Sequence, residues 1–342
     1  MRLIEPSAQR RWVYTWLGNE ATQMVKTSLR KLFESPAAAS LRKQVWKRAA
    51  ARASQSAEMV ASSYGYRTLD VTEEFFGPGK SKETLFLLGG GSSINDLSDS
   101  DFAHMKFHTS IGFNVWAIHP FVPDAYSFET GKQEDGPSED TRFISQQLLR
   151  QDVIRAGPKF LFLRPTLPAS PKNLVQVPQE LHNNRYLYGR ANLPTRDHSN
   201  LFTDVHQILQ SYKTGEAPKN VLLDNGATVV RMLVFTALQG FRSIVLTGID
   251  LDDRPYFWLA PEYRHGSPEI ARIFPRRSGV PHDTLETIDR PFPVDQVIVA
   301  VSQALQRDFG ITVYVANPRS TLAAELPVFP WPRDKSTMPA LK

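Results

Sequence analysis

Thr84-Leu85-Phe86-Leu87-Leu88-Gly89-Gly90-Gly91-Ser92-Ser93 is the stretch on which the fold turns. A short apolar run without polar alternation reads as a strand covered on both faces, and the glycines mark a turn at its carboxyl end. Similar runs recur at Asn114–Ile118, Lys159–Leu163, Ser243–Thr247 and Ile311–Ala316. Between them lie helical patterns: Asp99–Phe107, Ser138–Arg150 with Phe143, Ile144, Leu148 and Leu149 turned inward, and Thr203–Tyr212. Thr228–Gln239 follows, stopped by Gly240. Val294–Phe309 comes last, with Val297, Ile298, Val301, Leu305 and Phe309 as its buried set and Gly310 as its stop. Strands alternating with helices predict an α/β protein: a Rossmann-like, mainly parallel sheet with helices on both faces. Two long polar stretches interrupt it, at 164–200 and 252–290, and the second is expected to form a lid-like loop. Ligands of such sheets bind beyond the carboxyl ends of the strands. That rule selects Gly89–Ser93, Ile118–His119 and Asp250–Asp253.

Composition narrows the class. The chain has 342 residues, 41% hydrophobic and 22% charged, as globular proteins do. No apolar run is long enough to cross a bilayer. The absence of cysteine excludes disulfides, thiolate zinc sites and a cysteine nucleophile, and fits a reducing compartment. Arg2, Arg10 and Arg11 are not followed by an apolar signal region, so a cytoplasmic protein is expected. Residues 1–80 carry 13 Lys/Arg against 7 Asp/Glu, a net +6, while the remainder is nearly neutral at 27 against 28. The expected organisation is therefore a basic helical extension (1–80), a Rossmann-like domain (81–326) and a Pro-rich tail (327–342). The densest basic run, Arg42–Arg52, reads as a helix capped by Ser40, with Leu41, Val45, Ala49 and Arg52 on one face and Trp46 beside it. It is either a solvated helix packed on the main domain or a route to an anionic membrane surface. The body offers no basic stripe for nucleic acid.

The glycine turn can bring backbone N–H groups and the Ser92 and Ser93 hydroxyls against phosphate oxygens. It matches neither the Walker nor the dinucleotide pattern. Asp250, at the end of a strand in Thr247-Gly248-Ile249-Asp250, can accept from ribose hydroxyls, or join Asp252 and Asp253 around a cation such as Mg²⁺. His282, in the polar loop, is a candidate base among eight histidines, from which no zinc site is expected. Tyr256, Arg272, Arg276 and Arg277 could bind a diphosphate or carboxylate leaving group. No nucleophile elbow of the serine hydrolases is present.

The strand with Gly-x-Gly-x-Ser, "GFRSIVLTGID" at 240–250, the histidine-bearing loop and "GITVYVANPRSTLA" at 310–323 together resemble a known family. It is the bacterial family 42 glycosyltransferases, sialyltransferases that use CMP-activated sialic acid, with relatives that carry nonulosonic acids to flagellin or surface glycans. The 6-hydroxymethylpterin diphosphokinases are similar in their sheet. The resemblance covers residues 84–326. It implies an inverting transfer from a CMP-sugar donor to a glycan acceptor with no required cofactor. Gly89, Gly90, Gly91, Ser92 and Ser93 would wrap the nucleotide phosphate. Gly248 and Asp250 would lie beside the ribose, and Thr228 would stand in the block before the apolar helix. Asn317, Pro318 and Ser320 would lie near the cytidine. His282 would be the general base, and Tyr256 would assist departure of the phosphate. Where the family has an asparagine after the second strand, the run read as that strand ends here in Ile118-His119-Pro120. The alternatives are an ATP/Mg²⁺-dependent diphosphokinase using Asp250, Asp252 and Asp253, and a non-catalytic assembly module at a membrane.

Overall fold

In a computed structural model, the chain is described over residues 27–28, 31–77, 81–129, 137–163, 174–261, 263, 265–275, 279, 285 and 292–332. Among the described residues nine strands form one sheet: β1 (Arg67–Thr68), β2 (Thr84–Leu88), β3 (Thr109–Phe113), β4 (Ala125–Phe128), β5 (Lys159–Leu163), β6 (Arg185–Asn192), β7 (Val221–Asp224), β8 (Ser243–Thr247) and β9 (Thr312–Val315). Their order is β1-β6-β5-β4-β3-β2-β8-β9, with β7 on β6, and every pairing is parallel.

Parallel neighbours need crossovers, and the crossovers cover both faces. In β2, Leu85 and Leu87 enter one core while Phe86 and Leu88 enter the other. The first core is roofed by α1 (Ala39–Tyr64), α5 (His198–Lys213), α6 (Thr228–Leu238) and α8 (Val294–Phe309). The second lies under α2 (Asp99–Met105), α3 (Glu139–Gln147), α4 (Gln151–Ala156) and α7 (Pro268–Ile273). The Rossmann-like α/β class is thus the observed one. Local signals set several boundaries. Ser98 and Asp101 form a capping box that starts α2, and Gly310 at φ +67° ends α8.

Several elements differ from expectation. Asn114–Ile118 is a 3-10 turn, and the second strand is Thr109–Phe113 just before it. Trp116 folds back over that strand, and a Cβ on Gly112 would stand 2.5 Å from its ring. Strands β1, β4, β6 and β7 were not expected; β6 runs through the 164–200 stretch. Leu149 is exposed rather than inward. The described part of 252–290 holds a 3-10 turn (Phe257–Leu259) and α7, with Phe257, Trp258, Tyr263 and Ile270 buried in the second core.

Helix α1 begins at Ala39, so Ser40 is not its cap, and its inward face is Arg42, Trp46 and Ala50 rather than Leu41, Val45 and Ala49. The cause is Arg42. Its Nε donates to Asp204 at 2.8 Å, Nη2 to Asn200 Oδ1 at 3.0 Å, and Nη1 to the carbonyls of Phe33 and Ser35. Lys43 and Lys47 pair with Glu216, so three charges of the basic run face the protein, while Arg48 and Arg52 remain exposed. β1 pairs with β6, and Leu69, Val71 and Phe75 enter the first core, so this segment is built into the sheet. The chain after β9 also returns to it: Phe329 N–H donates to the Val315 carbonyl. No helix among the described residues is long and apolar enough to cross a membrane.

A buried carboxylate deprived of its cation is costly. Arg42→Met is expected to lower unfolding free energy by about 3–5 kcal/mol in urea titration; a loss below about 1 kcal/mol would show that the pair does not anchor α1.

Candidate functional site

Strands β2 and β8 are neighbours, but the chain leaves β2 toward β3 and leaves β8 toward β9 on the other side. The diverging connections open a crevice beyond the two carboxyl ends. A cavity of about 570 Å³ lies there. Gly89–Gly91 after β2, Phe113–Val115 at the end of β3 and Glu129 after β4 line it, with Gly226–Val229 at the start of α6 and Gly248–Leu251 after β8. Tyr256, Trp258 and residues 273–275 line it from the following loop.

The floor is a direct clasp between the two strand ends. Gly89 N–H donates to the Thr247 carbonyl and Gly91 N–H to the Gly248 carbonyl, each at 2.7 Å. Ser93 donates to both oxygens of Asp250, from N–H at 2.9 Å and from Oγ at 2.5 Å. The approach is close enough to demand glycine. A Cβ on Gly91 would stand 2.4 Å from Asp250 Oδ2, one on Gly89 2.5 Å from the Gly248 carbonyl, and one on Gly90 2.9 Å from the Trp258 ring. The glycine turn and Asp250 therefore meet at one crevice. The N–H groups of Gly89 and Gly91 serve the sheet end, however, rather than a free anion cradle. Burial pushes the Asp250 carboxyl above the usual range, against the opposing hydrogen bonds from Ser93.

The remaining expected residues divide. Thr228 lines the cavity and donates from Oγ1 to Glu129 Oε1 at 2.6 Å. Tyr256 lines it and stacks on Trp258 at 4.5 Å; beside them Phe257 N–H donates to the Gly90 carbonyl. Gly90 and Gly248 line it as well. Ser92, Ser93, Asn317 and Ser320 stand outside the lining. Asn317 donates to Asp96, and Ser320 Oγ donates to the Ile249 carbonyl, which fastens the chain after β9 to the end of β8. His282, Arg276 and Arg277 lie outside the described residues; Arg272 binds Glu139 on the surface. Asp252 is paired with Arg254, and no group of three potential metal ligands forms among the described residues.

Two lining residues able to accept hydrogen bonds were not anticipated, Asn114 and Glu129. With the second strand at Thr109–Phe113, Asn114 stands at its carboxyl end, where the resemblance calls for an asparagine. Its φ is +45°, a left-handed conformation that asparagine tolerates, and its Oδ1 accepts the Glu129 N–H at 3.3 Å. Glu129 is ion-paired with Arg231, whose side chain is fully buried and whose Nη1 reaches Asp224 Oδ1 at 2.5 Å. The strand-end site expected at His119 is occupied differently. Its ring stacks on Trp116 at 4.5 Å and on Phe102 at 5.0 Å, and its Nδ1 accepts the Phe121 N–H. Burial, with His265 and Arg150 adding to it, pushes this imidazole down to about 3, so it is a neutral packing group. Two histidines outside the lining do meet. His104 and His108, four residues apart, bring their rings to 4.6 Å beside Phe86 and Trp331.

No family model matches the sequence, and no curated protein matches it. Some solved structures are similar. The sialyltransferase CstII from Campylobacter jejuni, in complex with cytidine-5'-monophosphate, is 14% identical over 74% of this chain and 87% of its own, with a TM-score of 0.37. An alpha-2,3-sialyltransferase from Campylobacter jejuni in apo form is 16% identical over 75% of this chain and 83% of its own, at 0.35. The MAf glycosyltransferase of Magnetospirillum magneticum is 16% identical over 77% of this chain and 36% of its own, at 0.40.

Gly91→Ala drives a methyl group into the clasp and is expected to cost about 1–3 kcal/mol in denaturant unfolding. Because burial raises the Asp250 pKa, the folded state holds that proton more tightly than the unfolded chain does. This contribution is fully present below about 3.9, the ordinary aspartate value, and is lost as pH rises through the raised value. The Tm of the wild type relative to Asp250→Asn should therefore fall across that interval. A flat or rising difference would refute the assignment.

Proposed function

We propose that the chain is an inverting glycosyltransferase that holds a CMP-activated nonulosonic acid in the crevice between β2 and β8 and passes the sugar to a surface glycan. The observation that carries this reading is the cavity itself. Its volume, about 570 Å³, lies in the range of small-molecule sites, and it opens at the switch point of the sheet. Two of the blocks that carry the sequence resemblance reach it, the glycine turn through Gly89–Gly91 and the end of β8 through Gly248 and Asp250, with Thr228 beside them. Its two walls differ in kind. Tyr256 and Trp258 offer stacked rings, while Asn114, Glu129 and Thr228 offer hydrogen-bonding groups.

In this reading an acceptor hydroxyl attacks the anomeric carbon as the bond to the CMP phosphate breaks. The phosphate keeps the bonding electron pair. His282, assigned by the resemblance, takes the hydroxyl proton. Tyr256, beside the glycine turn, faces the charge that grows on the leaving phosphate. A surface-glycan acceptor would be met in the cytoplasm, at the inner face of a membrane. The diphosphokinase alternative asks Asp250, Asp252 and Asp253 to bind Mg²⁺, yet Asp250 and Asp252 are engaged by Ser93 and Arg254. That favours the transferase.

A thermal-shift series with CMP, CDP, UDP, GDP and ATP/Mg²⁺ tests the reading. CMP should raise the Tm, since a ligand of the native state stabilises it. Val115→Trp, which fills the cavity, should abolish the shift. With a CMP-sugar and an acceptor, His282→Ala should slow transfer by roughly 100-fold or more. A shift with ATP/Mg²⁺ and none with CMP would overturn the assignment.

A further inference from the structure

Arg231 is the most demanding residue in the first core. Its guanidinium is fully buried; burial opposes its charge, but Asp224, Tyr188 and Glu129 outweigh that penalty. Buried ion pairs of this kind seldom add stability over apolar packing. The network leads somewhere. Asp224 is fully buried and takes Arg231 on Oδ1 and Arg190 on Oδ2; Glu129 takes Arg231 Nη2 and Thr228 Oγ1 on Oε1. The Glu129 side chain is 41% exposed, and the residue lines the cavity. Its Oε2 has no hydrogen-bond partner among the described residues. A carboxylate has about four acceptor positions, so it retains capacity for a ligand. Its backbone is held as well, through the N–H that Asn114 accepts.

Among the described residues, Glu129 and Asp250 are the charged side chains in the lining, and both oxygens of Asp250 are engaged by Ser93. This wall therefore accepts hydrogen bonds from hydroxyl or amide N–H groups and repels carboxylate and phosphate. We infer that Glu129, held by Arg231 and Thr228, is a specificity-determining residue that receives the hydroxyl-bearing part of the sugar. The phosphate is thereby turned toward the Tyr256 wall. The inference rests on the transferase reading and deepens it by assigning an orientation.

The test compares CMP with CMP-N-acetylneuraminic acid by calorimetry on the full chain. In Glu129→Gln, Arg231 keeps the amide oxygen and the amino group turns a donor into the cavity. In Glu129→Asp the ion pair is kept but the reach is shortened. In both variants the ratio of CMP-sugar affinity to CMP affinity should fall by roughly tenfold. Glu129→Asp guards against a folding defect, which a Tm measurement would reveal. A ratio unchanged in both variants, with both ligands bound by the wild type, would overturn the role of Glu129 and leave the transferase standing. A wild type that binds neither ligand would overturn the transferase reading and this inference with it.

Discussion

The clasp between Ser93 and Asp250 is the contact on which the site depends. Two parallel strands lie side by side, and their chains then depart in opposite directions. Without a tie beyond the last ladder bonds, their ends would splay. The Ser93 N–H and hydroxyl close on one buried carboxylate, and the glycines let the backbones approach within the distance those bonds need. The tie also occupies the N–H groups of Gly89 and Gly91. N–H groups that hold the sheet end together are not available to a ligand.

Two buried arginines play comparable parts at different places. Arg42 fixes α1 to α5 and turns most of the basic run toward the protein. Arg231 fixes the start of α6 to the end of β7 and to Glu129, which brings three elements to one wall of the cavity. In each case a long cationic side chain satisfies several acceptors at once, which lets it be buried without losing its charge. The second core supplies the opposite wall, where Trp258 packs on Phe257, Phe257 on Trp116 and His119, and Tyr263 on His119.

Much of the fold was legible because burial on both faces leaves a plain mark. β2, β5 and β8 carry uninterrupted apolar runs, and α8 carries a clear periodicity ended by Gly310. β3 and β6 escaped because their residues include Thr109, Ser110, Gly112, Arg185 and Asn192, which read as loop until neighbouring strands cover them. The misplaced second strand in turn hid Asn114. Glu129 carried no local signal, since its place depends on Arg231, about a hundred residues along the chain.

The sequence by itself determined the class of sheet and two of the segments that meet at the crevice, the glycine turn after β2 and the end of β8, because strand and turn preferences act over a few neighbouring residues. Only the tertiary structure decided what those segments do there. Whether Asp250 faces a ligand or Ser93, and whether Arg42 faces solvent or Asp204, is set by partners far apart in the chain. Electrostatic and packing energies of that kind have no signature in residue order.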